Sequence, residues 1–340
     1  MSAAHGDAST DRDAWNRCRY VSGMSGGHYE SWFQRANHPT RPLAFWIRYT
    51  IFAPRGRPDD TVGELWAIVF DGERDHVTAV KEVVPLRACR FGVSGGIDAT
   101  IGAAVLSATH LEGAASSRGH TLSWVLDYDS PERPLLLLPR ALYDRGLPKA
   151  KALVGSPNAS FRGTITVDGE TVAIDGWRGS QNHNWGSRHT DSYAWGQVAG
   201  FDDAPDTFVE CSTAQLRIGR MWTPRMSLVV LRTAGREYAL NGLGQALRAQ
   251  GRFEFFDWRI VSAAPEARIA IRIHAPRGAF VGLAYDNPPG GTKVCLNTKL
   301  ACCEVKLERE GQLPRTFSTR SRAAFEILTD RTDHGVAVVA

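Results

Sequence analysis

Short runs in which apolar and polar side chains alternate, separated by turn-forming residues, make up most of this 340-residue sequence. Alternation with a period of two is typical of β-strands, because successive side chains of a strand point to opposite faces. The pair Asp168-Gly169, between Val167 and Thr171, is the turn signature of a tight hairpin. Such runs begin at His28 and continue almost to the end of the chain. The sequence therefore predicts an all-β protein with antiparallel strands.

The length of the chain favours two domains, or one large β domain, because single hydrophobic cores seldom grow to this size. The pattern of strands restarts after residue 203, and two successive antiparallel β domains are the simplest interpretation. We expect them to span residues 20–190 and 191–340, with a boundary near Thr190. Because no flexible linker lies there, we expect the two domains to pack against each other. Residues 1–19 lack an apolar signal core and are expected to form a disordered leader on a cytoplasmic protein.

The composition argues against several classes of function. The formal net charge is +4, and the arginines are scattered rather than clustered, so nucleic-acid binding is not indicated. Contact with an anionic membrane surface remains open for a mildly basic protein, whereas no apolar run is long enough to span a bilayer. The six cysteines form no Cys-x-x-Cys pair, so we expect neither a disulfide framework nor a zinc site.

Aromatic and polar side chains are most concentrated in the stretch from residue 175 to residue 202. Its first half contains three glycines that predict tight turns: Gly176, Gly179 and Gly186. In the strand that follows, Asp191, Tyr193, Trp195 and Gln197 share one face, and small residues occupy the other. Such a face favours the wall of an apolar ligand pocket. The alternative is a half-buried strand whose Tyr and Trp make ordinary hydrogen bonds.

Two residues are candidates for acid–base chemistry on their own surroundings. His183 lies between amides in the run QNHNWG and suits proton transfer near neutral pH, unless this run is a purely structural loop. Glu30 shares a strand face with His28 and Trp32, and aromatic surroundings would raise its pKa toward that of a proton donor. The alternative for Glu30 is a simple exposed glutamate.

A metal site is a further interpretation of the central stretch. His183 and His189 are six residues apart, and Asp191 is close to both in sequence. In a loop this spacing permits a metal without indicating one. We therefore expect no bound metal.

The segment from Tyr285 to Glu304 has a polar strand face composed of Lys293, Cys295, Asn297 and Lys299. A face of this kind is either a solvated edge or a pocket wall. Asn and Cys favour the wall, because solvated faces usually carry more charge.

Three segments of the sequence resemble the lipocalin-like superfamily. This group contains carotenoid 1,2-hydratases (hydroxyneurosporene synthases), tocopherol cyclases and cofactor-free Diels–Alderases. The segments are GWRGSQNHNWGSRHTDSYAWGQVAGFD, HYESWFQRANHPTRPLAFWIRYTIFAP and CLNTKLACCEV. The match includes His183, Asn184 and Trp185 residue for residue. Asn182 stands where some members have an aspartate, which leaves Asp175, Asp191 or Glu30 as candidate acids beside His183.

The resemblance implies two tandem lipocalin-like β-barrels with a lipophilic pocket in or between them. It also implies chemistry without a cofactor on a hydrophobic terpenoid or polyketide: protonation of an alkene followed by hydration or cyclisation, or the shaping of a polyene for cycloaddition. His183 or a nearby carboxylate would donate the proton, and Asn297 would orient the substrate. The expected substrate-binding residues are Asn184, Trp185, Tyr193, Trp195, Gln197, Tyr285, Cys295 and Asn297.

Two other functions remain open on the same fold. The first is a non-catalytic protein that stores or carries a lipid or another small hydrophobic molecule. The second is a structural or stress-related protein without a defined ligand. Conversion of a polyene by the purified protein would distinguish an enzyme from a carrier.

Overall fold

A computed structural model describes residues 8–93 and 95–340 of the chain. This part of the chain contains two α-helices, α1 (Ala8–Asn16) and α2 (Leu243–Arg248), and its sheets are built of antiparallel strands. Four short 3₁₀ helices lie between strands: Pro58–Asp60, Leu86–Ala88, Arg140–Leu142 and Arg277–Ala279. The first twelve strands are β1 (His28–Asn37), β2 (Leu43–Ala53), β3 (Val62–Asp71), β4 (His76–Pro85), β5 (Cys89–Phe91), β6 (Asp98–Ile101), β7 (Ala104–Ser107), β8 (His110–Ser117), β9 (His120–Asp129), β10 (Leu135–Leu136), β11 (Ala150–Val167) and β12 (Glu170–Gly186).

These twelve strands form one sheet in the order β4-β3-β2-β1-β12-β11-β9-β8-β7-β6-β5, with β10 paired to β11. The sheet curls until β4 packs beside β8 and β9, which nearly closes it into a barrel, here called barrel 1. Its interior is filled by alternate residues of each strand, including Trp32, Tyr49 and Trp124. The indole of Trp124 donates to the Tyr49 hydroxyl across this interior.

The second half of the chain contributes β13 (Ser192–Ala199), β14 (Phe208–Gln215), β15 (Arg217–Ile218), β16 (Met221–Trp222), β17 (Met226–Thr233), β18 (Arg236–Leu240), β19 (Gln250–Glu254), β20 (Asp257–Ala264), β21 (Ala267–His274), β22 (Val281–Asp286), β23 (Thr292–Glu308) and β24 (Arg315–Thr329). All except the hairpin β15–β16 belong to a second sheet, in the order β18-β17-β14-β13-β24-β23-β21-β20-β19 with β22 on β23. Its two ends meet, since β17 packs beside β19 and β20, and it forms barrel 2.

The two barrels pack against each other through the outer faces of a few strands. An apolar cluster joins Phe33, Trp46 and Trp66 of barrel 1 to Trp195 and Tyr285 of barrel 2. The alternation of β2 explains this arrangement, because its odd-numbered residues from Phe45 to Ile51 fill barrel 1 while its even-numbered residues face barrel 2. The all-β prediction and the packing of two barrels are confirmed. The division into domains at residue 190 stays a prediction, and the segment 187–191 connects the two sheets.

A buried polar network crosses this interface. Arg35 of β1 is fully buried, and its Nε donates to Oε1 of Gln197 at 2.8 Å, while Nη1 donates to Oδ1 of Asn37 at 2.7 Å. Gln197 in turn donates to Oδ1 of Asn182 at 2.8 Å. Because each of these polar groups would be costly to bury without a partner, the network fixes how the barrels dock.

The N-terminal segment differs from the expected disordered leader. Residues 1–7 lie outside the described part of the chain, but α1 covers Ala8–Asn16 and the following residues pack on barrel 1. Arg12 donates to the carbonyl oxygens of Gly155, Ser130 and Glu132 at 2.7–3.1 Å. These contacts order the segment, and its local apolar content could not reveal them.

The expected turns of the central stretch are also a wrong prediction. Residues 170–186 form a single long strand, β12, between β1 and β11. Of the three glycines, Gly176 has φ +63° at an irregularity in the pairing with β11. Gly179 instead allows close approach, because a Cβ there would lie 1.8 Å from the carbonyl oxygen of Arg35. These glycines therefore allow an irregular pairing and a close backbone contact within a strand, rather than turns in a loop.

Candidate functional site

A cavity of about 440 Å³ lies between the two barrels and is predominantly apolar. Its aromatic lining is Tyr29, Phe33, Trp46, Tyr193, Trp195 and Tyr285, and its aliphatic lining includes Leu137, Leu138, Leu142, Leu216, Met226 and Leu228. Leu147 and Leu243 also line it and are largely exposed to solvent, so they mark its mouth. A chamber of this size and composition suits a hydrophobic small molecule.

The period of two in the strands brings these side chains together. On β13, Tyr193 and Trp195 point into the cavity, whereas Ala194 and Val198 belong to the core of barrel 2. The aromatic face recognised in the sequence is therefore a cavity wall at the barrel interface. Of the two interpretations of this strand face, the structure supports a pocket wall rather than a plain core for Tyr193 and Trp195.

One carboxylate lies in the cavity wall. Glu326 of β24 is flanked by Trp195 on β13 and by Asn297 on β23. Its Oε1 accepts hydrogen bonds from Lys299 Nζ at 2.8 Å and from Asn297 Nδ2 at 2.9 Å. The thiol of Cys295 lies 3.7 Å from Oε2. These contacts fix the position of an acid at an otherwise apolar surface.

Lys299 is completely buried beneath this carboxylate. Burial lowers the pKa of its ammonium, and the attraction of Glu326 opposes that shift. The Nζ atom also lies 5.6 Å and 5.7 Å from the ring centroids of Trp46 and Trp195. The pair is consequently a buried acid and base joined by one short hydrogen bond, next to the cavity.

A second carboxylate, Glu210 of β14, lies behind the Trp195 ring. Trp195 Nε1 donates to its Oε1 at 2.9 Å, and Gln197 Nε2 donates to its Oε2 at 2.6 Å. Burial raises the pKa of Glu210 to about 7, although these two hydrogen bonds oppose the shift. Glu210 does not line the cavity, and its contact with the indole holds the Trp195 ring in place.

Arg48 of β2 is a buried charged residue of the barrel 1 wall, which also includes Lys151 of β11. Its side chain is 6% exposed, and the guanidinium carbon lies 4.7 Å from the centroid of the Tyr285 ring. No hydrogen-bond partner for its Nε exists within the described residues.

His189 also lines the cavity, and its ring stacks on Tyr29 at a centroid distance of 4.1 Å. Burial and the charge of Arg48 lower the pKa of its imidazole to about 3. That histidine is therefore neutral.

Two of the candidate acid–base residues, His183 and Glu30, form a separate group inside barrel 1. His183 Nε2 lies 2.8 Å from Oε1 of Glu30, and the His28 ring lies 3.1 Å from Oε2. Burial alone would raise the pKa of Glu30, but the hydrogen bonds from His183 and His28 lower it to about 2. The raised pKa expected for Glu30 is thus a wrong prediction, because its partners are histidines rather than aromatic hydrocarbon alone. Burial lowers the pKa of His183.

The structure divides the expected site residues into three groups. Those that line the cavity are Asn184, Tyr193, Trp195 and Tyr285. Those buried behind its wall are Gln197, Cys295 and Asn297, of which the last two contact Glu326. Those away from it are Glu30, Asp175, His183, Trp185 and Asp191.

Each residue of this last group lies outside the cavity wall. Asp175 is exposed on β12. Asp191 pairs with Arg188 and accepts from the backbone of Arg217 at 2.9 Å. The Trp185 ring packs 4.8 Å from that of His183, with the Arg19 guanidinium 3.7 Å from the indole centroid. Among the described residues, no cluster of three or more His, Cys, Asp or Glu side chains could hold a metal ion.

Sequence reasoning missed Glu326, Arg48 and Glu210. A signal was present for the first two, since each is a single charge within a strand of apolar residues, FWIRYTI and AAFEIL. A charge at such a position is expensive to bury and is often functional.

No described helix is long and apolar enough to cross a membrane.

Comparison with known proteins places this chain in a recognisable structural group. No family model matches the sequence. Two proteins of Mycobacterium tuberculosis, Rv0493c of strain H37Rv and MT0513 of strain CDC 1551, are each 24% identical over 289 residues, which is 83% of this chain and 82% of theirs. Both carry the description uncharacterized protein.

Solved structures share the fold along most of the chain. An AttH protein of Nitrosomonas europaea superimposes with a TM-score of 0.56 at 15% identity, covering 91% of this chain and 94% of that one. Kievitone hydratase from Nectria haematococca gives 0.54 at 11% identity, with 92% and 94% covered. CghA in complex with Sch210972 gives 0.52 at 11% identity, with 90% and 89% covered. The likeness confirms the lipocalin-like two-barrel fold; at these identities it carries no activity to this chain.

Proposed function

We propose that this protein is a hydratase or cyclase that acts without a cofactor on a hydrophobic terpenoid or polyketide in the cavity between the barrels. The observation that carries the proposal is the Glu326 carboxylate, fixed by Lys299 and Asn297 in the wall of an apolar chamber. Kievitone hydratase, a neighbour in fold, is named for a hydration. The resemblance of the HNWG segment to the hydratase and cyclase superfamily agrees with the same chemistry.

The geometry suits protonation of an alkene. Transfer of a proton from Lys299 Nζ to Glu326 Oε1 across their 2.8 Å hydrogen bond produces a neutral amine and a carboxylic acid that faces the cavity. Burial lowers the pKa of the Lys299 ammonium, which favours release of this proton. The acid then protonates an alkene carbon of the substrate and becomes a carboxylate again.

The aromatic wall suits the cation that follows. The rings of Trp46 and Trp195 face the cavity near Glu326, and their negative π faces stabilise a carbocation. In a hydration, water bonds to the cationic carbon and its surplus proton returns to the Glu326–Lys299 pair. In a cyclisation, an internal double bond attacks the cation and the same pair accepts the proton that is lost.

The experiment compares the wild type with Glu326→Gln, using geranylgeraniol as the first of a panel of linear polyenes. In heavy-oxygen water, a hydratase yields a product heavier by one labelled water, and a cyclase yields an isomer of equal mass and different retention. Glu326→Gln should lower turnover by at least about 100-fold, the scale of general acid catalysis, and leave binding within a few-fold. Glu304→Gln, the same change at an exposed position of β23, is the matched control.

A different outcome would identify a different function or donor. If the wild type binds the polyenes and returns them unchanged, the protein is the carrier that the same cavity also suits. If Glu326→Gln turns over as fast as Glu304→Gln, Glu326 is not the proton donor.

A further inference from the structure

Arg48 is a buried cation that lacks the partners such a group normally has. A guanidinium carries five N–H donors and stays charged in proteins. Its Nε has no hydrogen-bond partner among the described residues, and none of their ion pairs includes this arginine. By contrast Arg35, the buried arginine of the barrel interface, donates to Gln197 and Asn37.

The carboxylates nearest to Arg48 are already paired with other cations. Glu64 accepts from Lys81 Nζ at 2.9 Å and from Trp66 Nε1 at 3.2 Å. Glu326 is bound by Lys299 and Asn297. The other ionisable residues of the cavity wall include the neutral His189 and the phenols of Tyr29, Tyr193 and Tyr285, whose ionisation burial opposes. Lys151 also lines the cavity, but it is a cation, and its Nζ donates to the carbonyl oxygens of Arg145 and Pro148. Within the part of the chain that the structure describes, Arg48 is therefore attracted by carboxylates at a distance and has no acceptor in contact.

The arginine is aimed at the ligand space. Arg48 lies in the cavity wall, and its guanidinium packs over the ring of Tyr285, which lines the same cavity. The Trp46 indole nitrogen, two residues away on the same face of β2, also has no acceptor within the described residues. Two donors without acceptors on one face of an apolar chamber indicate that the acceptor arrives with the ligand.

We propose that Arg48 binds a carboxylate or enolate oxygen of the substrate, so that the ligand is an apolar molecule with one anionic end. This inference rests on the proposed function for the identity of the site and adds the substrate class. Arg48 anchors the anionic end at the barrel 1 wall, and Glu326 lies at the barrel 2 wall. With its anionic end held at Arg48, the ligand extends its apolar part toward Glu326.

The test uses cis-parinaric acid, a fluorescent polyene with a carboxylate, and its methyl ester, which has the same chain without the charge. Fluorescence titration of the wild type at pH 8 should show at least about tenfold tighter binding of the acid, the effect of one charge-assisted pair. Arg48→Met should abolish that preference and leave binding of the ester unchanged. Arg48→Lys should retain part of it.

A matched control removes a positive charge elsewhere. Arg331 is exposed and pairs with Asp333, so Arg331→Met makes the same chemical change outside the cavity and should keep the preference. Arg48→Met should also raise the melting temperature, because it removes a buried charge without a partner. A structural arginine would show the opposite shift.

The outcomes separate this inference from the proposed function. If the wild type binds acid and ester equally, or if Arg48→Met keeps the preference for the acid, Arg48 is not an anion site, although the cavity can still hold a polyene. If neither probe binds, the cavity is not a ligand site, and both proposals fail.

Discussion

Nε2 of His183 lies 2.8 Å from Oε1 of Glu30, and both side chains are fully buried inside barrel 1. The same carboxylate accepts from the backbone N–H groups of Arg19 and Tyr20 at 2.9 Å. The Nδ1 atom of His183 lies 3.0 Å from the carbonyl oxygen of Trp15. The pair thus ties the N-terminal segment to the barrel wall, which gives the histidine of the HNWG run a structural role.

Because Glu30 must be ionised to make these contacts, the stability of the protein should fall at acidic pH. The pKa of Glu30 falls from 4.5 to about 2 in the folded protein, so its contribution is complete above pH 4.5 and is lost as the pH falls toward 2. That shift corresponds to a contribution from Glu30 on the order of 3 kcal/mol to the free energy of unfolding. Glu30→Gln should lose about this amount at pH 7 and show a shallower decline between pH 4.5 and 2. Urea unfolding at several pH values measures both effects.

Glu304→Gln provides the control, since that residue is exposed and outside the network. Its stability at pH 7 should match that of the wild type. An acid slope in Glu30→Gln as steep as that of the wild type would show that other carboxylates govern the acid response.

Asn16, at the end of α1, should contribute measurably to the stability of barrel 1. Its amide and that of Gln181 exchange two hydrogen bonds, of 2.9 Å and 3.2 Å, and its carbonyl oxygen accepts from Trp32 Nε1. Asn16→Ala leaves the buried Gln181 amide without these partners, which should cost about 1–3 kcal/mol of unfolding free energy. Arg17→Ala, at the exposed neighbouring position, should change it by less than about 0.5 kcal/mol. Equal values for the two variants would mean that the segment does not support the barrel.

Gly179 should tolerate no side chain. A Cβ at this position would lie 1.8 Å from the Arg35 carbonyl oxygen and 2.7 Å from the Ala36 Cα. Gly179→Ala must push β12 away from β1 and should cost roughly 3 kcal/mol or more in thermal or urea unfolding. Gly26→Ala is the matched control, because a Cβ at that position would meet nothing within 4 Å and its φ is not positive. A small loss at Gly179 would show that the two strands separate easily.

Local pattern predicted the strands and one wall of the cavity. The alternation around Trp195 is a property of the strand alone, so Tyr193 and Trp195 could be assigned to one face before any pairing was known. Glu326 reaches the site only through the register of β24 with β13, which pairs it with a residue 131 positions earlier in the sequence (326 − 195 = 131). Sequence periodicity carries no information on such pairings.

The same limit applies to His183 and Glu30 as candidates for the ligand site. The sequence predicts a polar, aromatic strand face for Glu30 and a loop for His183, whereas both lie on strands of barrel 1, and a barrel strand has an inner and an outer face. His183 pairs with Trp32 and points inward, whereas Asn184, the next residue, points to the cavity. Only the arrangement of the two barrels decides which of the two faces meets a ligand.

The Arg35–Gln197 hydrogen bond at the barrel contact has a consequence for how specificity can diverge. Each half of the protein keeps its own interior, and the chamber takes its shape from the angle at which the halves are held. Substitutions at this interface can change the shape of the cavity for a new molecule while the interiors of both barrels stay intact. Relatives with the same two barrels and different interface residues are accordingly expected to accept different molecules.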